Sequence, residues 1–296
     1  MAMRVATFAS SQSLLQAAMR IQVKQAEATT QQASGQVSSD YGGLGSKAGS
    51  VVSLQASITR SKAYEDAANT ASTRVETMYN AVGSILDDLT SLKATLASST
   101  ISSDTLQTTA KSTLESVVAL MNTQLDGRYL FAGSAVDTEP VDIDSIESST
   151  ATSQDELDYY KGDSQVASVR VSSSHVVSYG VTADEDSFKQ ALWAISTIAN
   201  GSTDSASVTQ AIDLLADSID GLSTVQTKLS LDASALETAV SSQEDYQTTT
   251  EDLIANLSEV DITTVAANMS NYEAQLEAAY AAIGKIANLS LASYLS

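Results

Sequence analysis

Histidine occurs once in this chain, at His175, and cysteine not at all. Thiolate nucleophiles, disulfides, sulfur-ligated metals, triads of histidine with cysteine and multi-histidine metal sites therefore cannot be built from it. His175 ends Ser172-Ser173-Ser174-His175, a stretch between two alternating segments that reads as a hairpin loop with a solvated imidazole. Asp137, Asp142, Asp144 and Glu147 cluster around Pro140, the one proline. Carboxylates at short spacing bind Ca²⁺ when a central Gly and a following Glu complete the loop. Both are missing here, so the cluster reads as a solvated acidic loop, and its Ser-rich surroundings would not raise a carboxyl pKa for acid–base work on a sugar. Gly42-Gly43-Leu44-Gly45-Ser46-Lys47 has the composition of a phosphate cradle but not the Walker spacing, and it follows no strand, so it reads as a flexible joint. Asn-X-Ser triplets at Asn200, Asn256, Asn268 and Asn288 are expected by chance in so Ser-rich a chain. No enzyme, metal site or cofactor is expected.

The order in the chain lies in its apolar seams. Tyr64, Ala68, Ala71, Val75, Met78, Val82, Ile85, Leu89, Leu92 and Leu96 recur at alternating steps of four and three, a heptad seam with a wet opposite face that needs helical partners. This predicts a helix from near Val51 to about Ser98. A Ser-rich turn follows, with Asp104 as the expected N-cap of a second helix through Leu106, Ala110, Leu114, Val117, Met121 and Leu125, and so short a connection makes the two an antiparallel hairpin. A second strict seam runs from Val208 to Val240 and a third from Ile262 through Val265, Met269, Tyr272, Leu276, Ala279 and Ile283 to Ile286. The first segment, to Gln36, carries only a weak seam, with Leu14, Ala18, Ile21, Gln25 and Ala28. It is marginal by itself and should pair with the last segment. Five glycines between Gly35 and Gly49 mark the boundary behind it.

Between Asp126 and Asp184 the period drops to two. Tyr129-Leu130-Phe131 reads as a short strand closed by Gly133, and Val169 with Val171 and then Val177, Tyr179 and Val181 alternate with polar residues. An insertion of about 60 residues is near the lower limit for a core of its own, so it should lean on the helices. Helical periodicity resumes at Phe188, with Asp184 or Asp186 to cap it and Asn200-Gly201 to close it. The fold class is mainly α with a small β-rich insertion: an elongated helical-bundle rod with paired N- and C-terminal coiled-coil helices. Its divisions are 1–45 with 258–296 as paired terminal helices, 46–125 with 186–257 as the helical rod, and 126–185 as a β-rich outer domain.

The formal charge of −21 and pI near 4.1 argue against nucleic acid and against an anionic membrane surface. No stretch offers the roughly 20 apolar residues a membrane span requires, and no basic region followed by an apolar run stands near the first residues. With chemistry absent and the last seam more apolar than the first segment can cover, the terminal helices are expected to supply an oligomerisation surface through Leu14, Ile21, Ile262, Val265, Met269, Tyr272, Leu276, Ile283, Ile286, Leu289, Leu291 and Leu295.

Terminal helices that pair, a helical rod and a β insertion together look like the bacterial flagellin superfamily. Gly127-Arg128-Tyr129-Leu130-Phe131-Ala132-Gly133 followed by Thr138-Glu139-Pro140 resembles the run that enters the outer domain of its hook-associated junction proteins. Tyr160-Lys161-Gly162-Asp163, Asp186-Ser187-Phe188 and the ending Leu289-Ser290-Leu291 through Tyr294-Leu295 are similar to that family's pattern. One stretch departs from it: Ala33-Ser34-Gly35 and Ser39-Asp40-Tyr41-Gly42 stand where the family commonly has an Asp pair followed by Pro or small residues. The resemblance implies secretion through the flagellar type III apparatus with an export chaperone. It also implies a ring of identical subunits on the bacterial flagellum, between the first hook-associated protein and flagellin, in which terminal helices line an inner tube and the acidic β domain faces outward. Two alternatives stand beside it. One is a flagellin filament subunit. The other is a secreted adhesin or type III tip-like protein binding a ligand in a concave pocket lined by Tyr129, Phe131, Tyr159, Tyr160 and Tyr179.

Overall fold

With one proline in the chain and glycines gathered in a few windows, little interrupts the helices. The structure, a computed structural model, describes residues 2–98, 101–149, 151 and 153–295, with side chains described for 9, 11–98, 101–149, 151 and 153–286. Its long helices are α1 (Ala2–Ser34), α2 (Ala48–Leu96), α3 (Ser103–Met121), α5 (Asp186–Ala199), α6 (Ser205–Ser258) and α7 (Ile262–Leu295), and a short α4 (Ile143–Glu147) precedes α5. Two antiparallel hairpins, β1 (Gln124–Leu125) with β2 (Arg128–Tyr129) and β3 (Ala167–Arg170) with β4 (Val176–Tyr179), complete it. By internal contacts the chain forms two compact units, residues 1–59 with 247–296, and residues 60–246.

The first unit is a helix pair. Gln36 bridges Glu259, the Thr29 hydroxyl reaches Met269 Sδ at 3.8 Å, and Gln22 Nε2 donates to the Tyr280 hydroxyl at 2.6 Å, so α7 is read forward as α1 is read backward. The Gly35–Gly49 window is more ordered than a flexible joint: Gly42–Lys47 is a 3-10 helix that buries Leu44, and the Asp40 carboxylate accepts from Gly43 N at 2.8 Å. A short polar side chain that satisfies its neighbour's N–H competes with extended backbone here. Gly45, at φ +56°, breaks the turn before α2 begins.

In the second unit, the α2 seam from Ala68 to Leu96 is buried along its whole length, against the Leu215, Leu222, Leu229 and Leu236 face of α6 and the Leu106, Leu114, Val117 and Met121 face of α3. α5 joins this core as well. Its Ala191, Ala194 and Ala199 are buried, Gln107 Nε2 of α3 donates to Ala199 O at 3.0 Å, and the Ser218 hydroxyl of α6 donates to Ser187 O at 2.7 Å. Small residues let these backbones approach, and a helix of 14 residues has no heptad run long enough to announce it. The residues between 126 and 185 share the same core through Phe131, Val141, Ile146, Leu157, Tyr159, Val171, Val177 and Val181. Along the solvated faces, Ser and Thr hydroxyls fold back onto their own helices: Thr70, Thr73, Thr77, Thr227 and Thr238 each donate to the carbonyl four residues earlier at 2.8–3.1 Å.

Five helix starts differ from expectation or extend it. Ser102, not Asp104, caps α3, its hydroxyl accepting from Thr105 N, while Asp104 sits in the first turn. α5 starts after Glu185 without a side-chain cap, because Asp184 is engaged by the Ser164 and Thr182 hydroxyls and Asp186 pairs with Lys189. Asp142, Asp204 and Asp261 do cap α4, α6 and α7. Asp142 accepts from Asp144 N at 3.1 Å, Asp204 from Ala206 N at 3.0 Å and Asp261 from Thr263 N at 2.9 Å. Each carboxyl lies below its ordinary value of 3.8, first because of a hydroxyl donor, from Ser145, Ser207 and Thr264 respectively. With the folded pKa depressed, the caps contribute fully above the unfolded value and lose that contribution as pH falls through the folded one. Urea midpoints should therefore hold from neutrality down to about pH 5 and decline below about pH 4. Asp204→Asn, which keeps an acceptor without the charge, should flatten part of that decline.

Candidate assembly interface

The Asp-Gly step after β1 organises the entry to the β-rich segment. Asp126 and Gly127 have φ of +52° and +73°, the two left-handed residues of a type I′ turn, which joins Gln124-Leu125 to Arg128-Tyr129 in two residues. The strand expected at Tyr129–Phe131 therefore ends at Tyr129. Phe131 turns inward, wholly buried and edge-on to Phe188, with ring centroids 6.0 Å apart and planes at 77°. Its carbonyl accepts from Ala183 N at 2.9 Å, which ties the corner to the approach of α5. Asp163 closes the other side, accepting from Ser134 N at 2.8 Å and Gln165 N at 2.9 Å and from the Ser134 hydroxyl, whose donation holds the carboxyl below the usual carboxylate range. Gly133, at φ +70°, leaves no room for a Cβ beside the Asp163 backbone, and Pro140 is buried with its carbonyl accepting from Lys161 N at 2.9 Å. Gly127, Arg128, Tyr129, Phe131, Gly133 and Pro140 thus form one folded corner.

The aromatic residues of the same segment are mostly spent inside. Phe131, Tyr159 and Tyr179 are buried, and the Tyr159 hydroxyl donates to Ala183 O at 2.7 Å, with burial pushing its pKa upward. Tyr129 and Tyr160 are half-buried, so the five do not line a common concave pocket. His175 is exposed in the β3–β4 loop, as its neighbours predict. Among the described residues, no group of three or more His, Asp or Glu side chains is placed to hold a metal, and no helix is long and apolar enough to cross a membrane.

On the terminal helices the last seam is turned onto α1. Val265 and Leu276 are buried, and Met269, Tyr272, Ile283 and Ile286 are half-buried, facing buried Ala18 and Ala28 and half-buried Leu14 and Ile21. Ile262 stands apart, 55% exposed. The side chains of Leu289, Leu291 and Leu295 lie outside the described ones. The apolar surface left to solvent is a different set, Leu15, Met19 and Val23 on α1 and Tyr280 on α7, between 45% and 59% exposed. Leu15, Met19 and Val23 recur every four residues, a signal present in the sequence but hidden beside the Leu14–Ala28 seam.

No family model matches the chain, and no curated relative matches it. Solved structures do. A protein described as a flagellar hook-associated protein from Vibrio parahaemolyticus superposes with a TM-score of 0.61 at 16% identity, covering 74% of this chain and 99% of that one. Flagellar hook-associated protein 3 from Legionella pneumophila gives 0.54 at 14% identity, covering 69% and 98%. FlgL from Bacillus cereus gives 0.50 at 16% identity, covering 71% and 99%. The chain therefore has the fold of flagellar hook-associated proteins: mainly α, with long packed helices and two short hairpins.

Proposed function

We propose that this chain is a structural subunit of the bacterial flagellum, the hook-filament junction protein, which acts by assembling and not by catalysis. The observation that carries the reading is the pairing of the helices from the two ends of the chain, with Leu15, Met19, Val23 and Tyr280 left facing solvent on the pair. An apolar stripe on a helix pair is a surface for further helices, and a ring of identical subunits supplies them. Leu14, Ile21, Val265, Met269, Tyr272, Leu276, Ile283 and Ile286 hold the pair together so that the outward set is presented. Ile262, exposed at the start of α7, and Leu289, Leu291 and Leu295, taken from the sequence alone, are assigned to the same assembly role. The Gly127–Pro140 run and the modest β-rich segment favour this subunit over a flagellin, and the fold shared with hook-associated structures over about 70% of the chain supports the reading. Its partners are then other copies of itself, the first hook-associated protein below and flagellin above, reached after type III export with a chaperone.

Electron microscopy tests the reading. The purified chain is expected to stay dispersed by itself, to cap detached hooks that end in the first hook-associated protein, and then to permit flagellin to grow. Long filaments from the chain alone would make it a flagellin instead, and failure to bind hook ends would remove the junction role.

A further inference from the structure

Arg74 of α2 and Arg128 of β2 line one narrow cleft in the second unit, walled by Met78, Leu130, Val136 and Val166, with a volume of about 40 Å³. Such a space takes the tip of one small side chain and no helix or strand. Neither arginine has an ion pair among the described residues. Arg74 is half-buried; its Nη1 donates to the Tyr179 hydroxyl at 3.2 Å, and its Nε is buried with no acceptor. That leaves the Nε–Nη2 edge, the one that grips a carboxylate side-on, without an acceptor; Nε is shielded from solvent as the side chain stands, so Arg74 must turn toward the mouth to present that edge, and a carboxylate waiting there removes the cost of the unpaired N–H. Arg128 is exposed beside it, and in a chain with 15 basic against 36 acidic residues neither of these two cations is ion-paired among the described residues.

We propose that this cleft is a receptor for an Asp or Glu side chain of a second copy of the chain. The inference rests on the self-assembly reading above. Each copy carries a formal charge of −21, so copies brought side by side repel unless carboxylates of one are neutralised by the other. A pair of guanidiniums in an apolar-walled cleft does this with more geometric selectivity than surface lysines would, because it takes both oxygens. The nearby Asp232 carboxylate accepts from Gly180 N at 3.0 Å and forms no ion pair with either arginine.

The test uses the full chain assembled on detached hook ends. Arg128→Lys introduces an amine at an exposed position without disturbing the fold. Mixing isotope-labelled and unlabelled copies and treating with a carbodiimide should give a crosslink between residue 128 of one copy and an Asp or Glu of another. Arg128→Gln should lower ring formation about ten-fold, and Arg74→Lys, which keeps the charge but loses the side-on fork, by less; circular dichroism should be unchanged in both. Normal rings with no intermolecular crosslink at residue 128 would overturn the proposal while leaving the assembly reading intact. A crosslink to the hook protein alone would overturn it as well, by assigning the carboxylate to another partner. If the wild-type chain forms no ring, the assembly reading fails first, and this proposal falls with it.

Discussion

Gly133→Val is expected to unfold the second unit at temperatures where the wild type is intact. Two independent effects act at this position. At φ +70° a β-branched side chain is held in the left-handed region that only glycine enters without strain. A Cβ would also overlap the carbonyl oxygen and carbonyl carbon of Asp163, which are backbone atoms that cannot swing aside. Displacing Asp163 breaks its acceptance from Ser134 N and Gln165 N and pulls on the Tyr160 hydroxyl, which donates to Asp163 O at 2.7 Å. Together these should cost at least about 3 kcal/mol. Urea denaturation followed by far-ultraviolet circular dichroism measures it. Gly127→Ala is the control: it shares a positive φ, +73°, but a Cβ there meets nothing, so it should cost only about 1 kcal/mol.

Leu276→Asp should separate the terminal helices and abolish assembly while the second unit keeps its stability. Leu276 is 8% exposed on the α7 face that meets α1. A carboxylate there loses the leucine's burial, worth about 2 kcal/mol or more, and adds the desolvation of an unpaired charge. α1 has little compensating strength: among its described side chains the buried ones are Ala18 and Ala28, supported by half-buried Leu14, Ile21 and Gln25. So thin a seam cannot keep a helix formed once its partner leaves. Ellipticity at 222 nm should fall by the contribution of the terminal helices, hook capping should disappear, and the melting transition of the second unit should not move. Retained capping would show that α7 contributes nothing through this face.

The helices were legible in the sequence wherever a seam ran for several heptads. Ala68 through Leu96 are buried at the positions their spacing assigns, as are Leu215, Leu222, Leu229 and Leu236, while Ile219, Gln226 and Ala233 between them are half-buried. Legibility failed where structure is decided by one or two side chains. The hydroxyl of Ser102 and the carboxylate of Asp104 are equally good caps on paper, and the choice depends on which residue still has extended backbone, which Ser102 does at ψ 154°. α5 was legible as a helix from Phe188, Leu192 and Ile195, but its seating against α3 and α6 rests on single bonds, Gln107 to Ala199 O and Ser218 to Ser187 O, that no periodicity announces. On the terminal helices the seam itself was readable, yet the surface left over was not. Which residues remain outside depends on how α7 is set against α1, and Leu14 and Leu15 are adjacent in sequence with opposite fates. The Arg74–Arg128 cleft joins residues 54 positions apart in sequence and has no local signal at all.

The hydroxyls that donate to their own helix carbonyls have a consequence for what can bond to these faces. A surface so rich in Ser and Thr would ordinarily bind a neighbouring subunit through many directional bonds, each of which must break before the neighbour can shift. Thr70, Thr73, Thr77, Thr227 and Thr238 have already committed their single proton within the helix. Each of these hydroxyls can still accept, so a neighbouring surface bonds to these faces only where it brings the donors itself.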